Sequence, residues 1–465
     1  MQTVFFYRHG SFCDKVNNDF GGIDLEKFLT AFIIGIYPLL LFEWDMGSFH
    51  IQSFLLFFMA MGVLLYNFLQ IRSKQWKIKM SRSRLELSIS ALVIFALFKI
   101  VVKIFTASET KAVCFDFELT VLAMAALYVL LAARPKFEEW YFDILLFGGL
   151  LVFAMLLVHY LCGDMVDGLL TVLLQGKEGV ASYTMLVCVV GLWQYCRCND
   201  KLRSIFYIGV LGVGFLVLFI NQGRVSIYMM MMAFIVLPVL QRPTAELVKK
   251  DMQMFFLFVF LLCNMSLLTN YTNLLQVDVH YDLEQSVYLE LVVAMGGLVF
   301  FKFWDRIPEG MDLKRLVMRK LRRGYQFLLK ALAIIFAGIL IGGAHWKNLP
   351  ESWGMKALKG LALPLVDEVY QTQSAFYLAF EKLGIIGGML VLIMCVLLIS
   401  SLRKNCRFDK PVTNMLTLIS TLFLFQLLFW KVSINSLPVY SVFAIWAVTY
   451  KEEREKVTIS KIKFE

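Results

Sequence analysis

RCNDKLRSIFYIGVLGVGFLVLFINQGR, residues 197–224, is the stretch whose reading decides the fold. Arg197, Lys201 and Arg203 crowd its start, residues 204–220 then run without a charge, and Asn221, Gln222 and Gly223 lead to a lone Arg224. At about 1.5 Å per helical residue such a run approaches the ~30 Å hydrocarbon thickness of a bilayer. Lys and Arg are retained on the cytoplasmic side, so the start of this span belongs inside and its finish outside.

Working outward from it, apolar stretches recur at about 26–44, 49–70, 86–106, 118–133, 141–163, 180–196, 204–220, 225–241, 251–269, 287–303, 327–343, 375–402, 411–430 and 437–450. The connections alternate. Basic ones run from Arg72 to Arg84, Arg134 to Lys136, Arg197 to Arg203, Arg242 to Lys250, Arg306 to Arg323 and Arg403 to Lys410, with the tail after Tyr450. The others, at 45–48, 107–117, 164–179, 221–224, 270–286, 344–374 and 431–436, are nearly free of Lys and Arg. The expected fold is therefore all-α: a polytopic transmembrane helix bundle of about 14 spans with both termini cytoplasmic. One long outer loop precedes the twelfth span. Residues 1–25 form a cytoplasmic N-terminal segment, 26–450 one membrane domain, and 451–465 a cytoplasmic tail.

Composition supports the same class. With 59% hydrophobic and 17% charged residues, the chain departs from water-soluble domains, whose apolar share is nearer ~45–50%. The net charge of +10 is the retention signal of the cytoplasmic face, with attraction to anionic inner-leaflet lipid, and implies no nucleic acid. The nine cysteines form no CxxC pair, and only Cys114 and Cys162 lie near the outer surface, where packing is expected over a disulfide. The segment before Asp24 lacks a basic region followed by an apolar core, so no cleavable signal peptide is expected.

Two connections are long. Residues 304–326 read as a basic amphipathic helix on the inner leaflet, with Leu313, Leu316, Val317 and Leu321 opposite Lys314, Arg315, Arg319, Lys320 and Arg322. The outer segment 344–374 is longer than a bare connection requires. It carries His345, Trp346 and Trp353, then apolar residues at Met355, Leu358, Leu361 and Leu365, spaced for a helix lying flat on the membrane. Beyond Pro364 come Asp367, Glu368, Gln373 and Phe376-Tyr-Leu-Ala-Phe-Glu381-Lys-Leu-Gly384-Ile-Ile-Gly387.

A long outer loop, a polar residue, a short aromatic stretch, Glu381 and Leu383-Gly-Ile-Ile-Gly387 opening a span together resemble the O-antigen ligase and O-antigen polymerase superfamily. The shape, elongation, division and sporulation glycosyltransferases are similar more distantly. Phe219-Ile-Asn-Gln222-Gly-Arg224-Val-Ser226 resembles the short Arg-containing element of that superfamily. The resemblance covers roughly 218–240 and 344–402. It implies a bacterial cell-membrane enzyme that takes a glycan from a polyprenyl diphosphate at the outer leaflet and joins it to an acceptor hydroxyl, without cofactor or metal. Its partners would be that lipid-linked glycan, membrane lipid and other polysaccharide-assembly membrane proteins.

Those expectations fall on named residues. A departing diphosphate needs its charge held, and Arg offers a planar, permanently charged fork. Arg224 is the residue expected to supply it, with Gln222 beside it; the bland alternative is an Arg anchored among headgroups. Lys99 and Lys103 stand i, i+4 in the outer half of the third span, where ammonium groups are costly unless they face a cavity or an anion. Either they contact phosphate, or Lys103 snorkels outward while Lys99 pairs with a carboxylate of the bundle. Gln373 departs from the family, which places His or Asp near this position. A neutral amide binds sugar hydroxyls and takes no proton. A general base must then come from Asp367, Glu368 or His345. A second departure is the four spans between Arg224 and the long loop, where the family more often has two.

Glu381 and Lys382, two turns into their span, serve either a ligand or a cross-helix ion pair. His159, at the outer end of the fifth span, is open in the same way. Asp278, His280, Asp282 and Glu284 alternate along the outer loop 270–286; a solvated acidic loop explains them, and no metal is expected. Three functions from different classes fit such a chain: a polyprenyl-diphosphate-dependent glycan polymerase or ligase, a lipid-linked oligosaccharide flippase or other polysaccharide exporter, and a non-catalytic scaffold. Transporters often carry related halves with sites at the bilayer midplane. Here the halves show no self-similarity and the polar features gather at the outer ends, which favours the transferase.

Overall fold

The computed structural model describes residues 25–39, 51–72, 83–106, 115–133, 137–162, 177–221, 224–240, 245–271, 294–299, 302, 375–405, 410–429 and 436–450. These residues form helices and short connections, with no strand among them. In chain order the helices are α1 (Leu25–Gly35), α2 (Ile51–Arg72), α3 (Arg84–Thr106), α4 (Asp116–Ala133), α5 (Trp140–Cys162) and α6 (Lys177–Arg197). They continue with α7 (Lys201–Ile220), α8 (Arg224–Leu240), α9 (Ala245–Tyr271), α10 (Ala375–Asn405), α11 (Pro411–Phe429) and α12 (Leu437–Thr449).

Five described stretches are long and apolar enough to cross a membrane: Arg84–Phe105, Trp140–Val158, Gly179–Arg197, Lys201–Ile220 and Leu383–Asn405. This is an α-helical membrane protein. Helix starts follow local chemistry. At α3, Ser83 and Glu86 form a reciprocal capping box, with the Glu86 amide donating to Ser83 Oγ at 3.2 Å and the Ser83 amide to Glu86 Oε2 at 3.1 Å. At α7, the Asp200 side chain accepts from the Leu202 amide at 3.2 Å.

The first span departs from expectation. The stretch 26–44 reads as one continuous helix, yet α1 ends at Gly35 after 11 residues and passes into a 3-10 turn at Tyr37–Leu39. Pro38 supplies the reason, because its ring excludes an interior helical position and biases the residue before it away from α geometry.

The layers are set by which helices are apolar on every side. α6 packs against α5, α7, α8, α9 and α11. Its membrane-length window is 94% buried, against 17% for α3 and 22% for α10. α6 is therefore the axis of the bundle, and α3 and α10 are outer staves that keep a broad apolar face exposed. An aromatic layer wraps the Arg197 end of the axis. Phe142 meets Trp193 at 5.1 Å, Phe137 meets Trp446 edge-on at 5.0 Å, and the Arg197 guanidinium lies 4.4 Å from the Trp193 ring. Ion pairs Lys27–Glu138 (2.6 Å) and Arg197–Glu139 (3.3 Å) close the same end.

α1 crosses α5 with glycine against glycine. A Cβ on Gly148 would stand 2.7 Å from the Gly35 carbonyl oxygen and 3.2 Å from its Cα, both backbone atoms that cannot swing aside. Gly148→Ala is expected to cost about 1–3 kcal/mol through the forced separation of the two helices. Gly212→Ala, where nothing lies within 4 Å, should be neutral or slightly stabilising. Thermal unfolding in detergent checks both, and equal melting of the two variants would remove the crossing from the list of tight contacts.

Candidate functional site

Two polar constellations lie in the bundle at the helix ends where α7 gives way to α8. The first sits where α6, α8, α11 and α12 meet. Ser182 Oγ donates to Gln426 Oε1 at 2.7 Å, and the Tyr440 hydroxyl donates to the Ser182 carbonyl at 2.7 Å. Gln426 Nε2 donates to Ser226 Oγ at 3.3 Å. All four side chains are buried, and Tyr440 stacks flat on Phe423 with ring centres 4.1 Å apart. Beside them in sequence, the Tyr183 hydroxyl and Thr184 Oγ1 are fully buried with no hydrogen-bond partner among the described residues. Each such group costs about 1–3 kcal/mol, so this end of the bundle keeps polar atoms at the expense of stability.

Ser226 ties that network to Arg224. Helix α8 begins at Arg224, and Ser226, two residues on, is wholly buried against Gln426. The start of α8 thus lies two residues from a hydroxyl and amide cluster. Gln426 is the hub, holding Ser182 through its oxygen and Ser226 through its nitrogen. Gln426→Leu is expected to leave Ser182 and Ser226 short of partners and to cost about 2–3 kcal/mol. Ser226→Ala, which removes only the acceptor of the Gln426 amide, should isolate one of the two contributions in the same melting experiment. Wild-type melting for both variants would show that the network carries no stability.

The second constellation joins α3, α4 and α10. Lys103 Nζ lies 2.5 Å from Glu118 Oε1 and 5.8 Å from the centre of the Phe115 ring. Glu118 is wholly buried, while Lys103 is about a quarter exposed (26%). Lys99, one turn earlier on α3, is half-buried and makes no ion pair with a described residue. Its ammonium faces Gly384 of α10, 4.0 Å from where a Cβ on that glycine would stand. The assignment that had Lys103 snorkelling and Lys99 paired to a carboxylate is therefore reversed. Lys103 takes the carboxylate because α4 enters the bundle at Asp116 and its first turn brings Glu118 level with the last turn of α3.

Gly384 has φ 76° and ψ −178°, so α10 is two helical halves meeting at a kink. Only glycine adopts this backbone freely, and the break falls inside the Leu-Gly-Ile-Ile-Gly element.

Of the other residues singled out from sequence, Glu381 lies within α10, three residues before the kink, and Arg224 opens α8. Gln222, His345, Asp367, Glu368 and Gln373 lie outside the described residues, as do Cys114, residues 278–284 and 304–326. Among the described residues no group of three His, Cys, Asp or Glu side chains is placed to hold a metal. Comparison with family models, with curated proteins and with solved structures returned no match.

Proposed function

We propose that this chain is a glycosyltransferase of the cytoplasmic membrane, polymerising or ligating glycan units carried on a polyprenyl diphosphate at the outer face of a bacterial cell. In this proposal the bundle has about fourteen spans with both termini inside, so the ends where α7 meets α8 face outward. The observation that carries it is the position of Arg224: it starts α8 on the side poor in Lys and Arg, two residues from the Ser226–Gln426–Ser182–Tyr440 network.

The chemistry follows from those groups. An acceptor hydroxyl attacks the anomeric carbon of the donor sugar while the bond to the diphosphate oxygen breaks. The charge that develops on the leaving diphosphate is met by the Arg224 guanidinium, assisted by Gln222. Asp367, Glu368 or His345 takes the proton of the attacking hydroxyl, and Gln373 and Glu381 bind sugar hydroxyls. Lys103 adds little to the diphosphate, since Glu118 cancels its charge.

A deletion strain analysed for surface glycan tests the function. Shortened chains with single repeat units retained indicate a polymerase, and accumulation of finished lipid-linked chains indicates a ligase. Inner-leaflet accumulation of the lipid-linked unit replaces the proposal with a flippase. Unchanged glycan would sink all three. The sidedness has its own check: a reporter fused at Lys79 is expected to read cytoplasmic and one at Lys356 external, and the same side for both would overturn the layout.

A further inference from the structure

Two staves of the bundle, α3 and α10, carry exposed apolar side chains on either side of a lysine. Around it Ile94, Phe98 and Val101 on α3 are 68%, 59% and 48% exposed, and Ile385, Ile386 and Met389 on α10 are 79%, 67% and 49% exposed. In a bilayer these side chains face acyl chains. Between them, on the seam, sits the Lys99 ammonium against the kink at Gly384.

An unpaired ammonium in hydrocarbon costs about 2.5–3.5 kcal/mol at mid-membrane, and less when the side chain snorkels. Something must offset that. Among the described residues Lys103, one turn on, is matched by the buried Glu118, and no described carboxylate pairs with Lys99, so its positive charge is the one left over. A single unmatched charge suits a phosphodiester, which carries one negative charge, better than a diphosphate, which carries more. Its depth is suitable too. Lys99 lies two turns from the end of α3 at Thr106, about 10 Å at 1.5 Å per residue, within reach of a headgroup by an extended lysine stem.

We propose that the α3–α10 seam is a binding site for an anionic glycerophospholipid of the outer leaflet, with Lys99 receiving the phosphate and the exposed apolar flanks of both helices receiving the acyl chains. The Lys103–Glu118 pair is the positioning element: it fixes the last turn of α3 against α4 and removes the second charge. The outward sidedness comes from the Lys and Arg distribution, and the site does not depend on the chain being a transferase.

Full-length protein, delipidated in detergent and titrated with phosphatidylglycerol or phosphatidylcholine, is read by native mass spectrometry. The wild type is expected to retain phosphatidylglycerol preferentially. Lys99→Gln should lower that preference about tenfold, the scale of one charge-assisted contact, while Lys99→Arg keeps it. Inorganic phosphate at millimolar concentration should displace nothing, because the acyl chains contribute to binding. Equal retention of the two lipids by the wild type, or an unchanged preference in Lys99→Gln, overturns the site. Displacement by free phosphate would show a simple anion pocket, and displacement by a polyprenyl diphosphate at lower concentration than by phosphatidylglycerol would give the seam to the glycan donor; either result overturns the phospholipid assignment. Because no glycan is turned over, the outcome is separate from that of the transferase test.

Discussion

Lys103→Met is expected to lower stability by about 3 kcal/mol, measured as thermal or denaturant unfolding in detergent, because it strands the Glu118 carboxylate in the bundle. Glu118 is wholly buried and its only described ion-pair partner is Lys103, at 2.5 Å. A carboxylate buried there without its counter-charge costs folding free energy. Glu118→Met should cost somewhat less, since Lys103 retains partial exposure and its stem can lead the ammonium towards water. The double replacement Lys103→Met/Glu118→Met should recover most of the loss, because two apolar side chains of similar volume remove the desolvation penalty together with the attraction. A double mutant as unstable as the sum of the singles would show that the two side chains act independently, and wild-type melting of Lys103→Met would show that the pair contributes nothing.

The same pair also governs local geometry. It ties the last turn of α3 to the first turn of α4, and α3 is in turn the helix that faces Gly384. Phe95 lies over Gly387, whose Cβ would stand 2.7 Å from the Phe95 ring, and Lys99 lies over Gly384 one turn along. Glycine at 387 lets α10 approach the Phe95 ring of α3 closely, while glycine at 384 serves the positive φ of the kink beside Lys99. Losing the anchor at Glu118 should therefore loosen the seam as well as destabilise the bundle.

The helices themselves were legible because their apolar runs are long and their ends are marked by charge. The expected span 204–220 and the helix Lys201–Ile220 end at the same residue, and the span 375–402 lies wholly within Ala375–Asn405. The early end of α1 and the kink in α10 were not. Pro38 is plain in the sequence, but the apolar run continues past it and periodicity cannot tell a broken helix from a continuous one. At Gly384 a glycine in an apolar run is common in membrane helices, and only the backbone shows that this one has positive φ.

The polar network was hidden for a different reason. Ser182, Ser226, Gln426 and Tyr440 are small or neutral, occur singly on four helices, and the contact between Ser182 and Gln426 spans 244 positions. No local spacing signals such a meeting. The buried Glu118 did offer a signal, a carboxylate just inside a span that follows a connection close to a pair of lysines, but partner choice between Lys99 and Lys103 depends on the depth at which α4 starts.

Arg224→Ala is expected to abolish nearly all glycan transfer while the protein stays in the membrane at normal level, a loss of at least about 10²–10³-fold if the guanidinium holds the departing diphosphate. Arg224→Lys separates charge from shape. An ammonium keeps the positive charge but offers no bidentate fork, so substantial loss is expected in that variant too. The position of Arg224 adds a control. Ser226 lies two residues along α8 and is held by Gln426, so Ser226→Ala would disturb the packing beneath the helix start without touching the charge. If Arg224→Ala loses transfer and Ser226→Ala retains most of it, the effect belongs to the guanidinium rather than to the anchoring of α8. Full transfer by Arg224→Ala would leave the residue as a headgroup anchor and would remove the observation on which the transferase proposal rests.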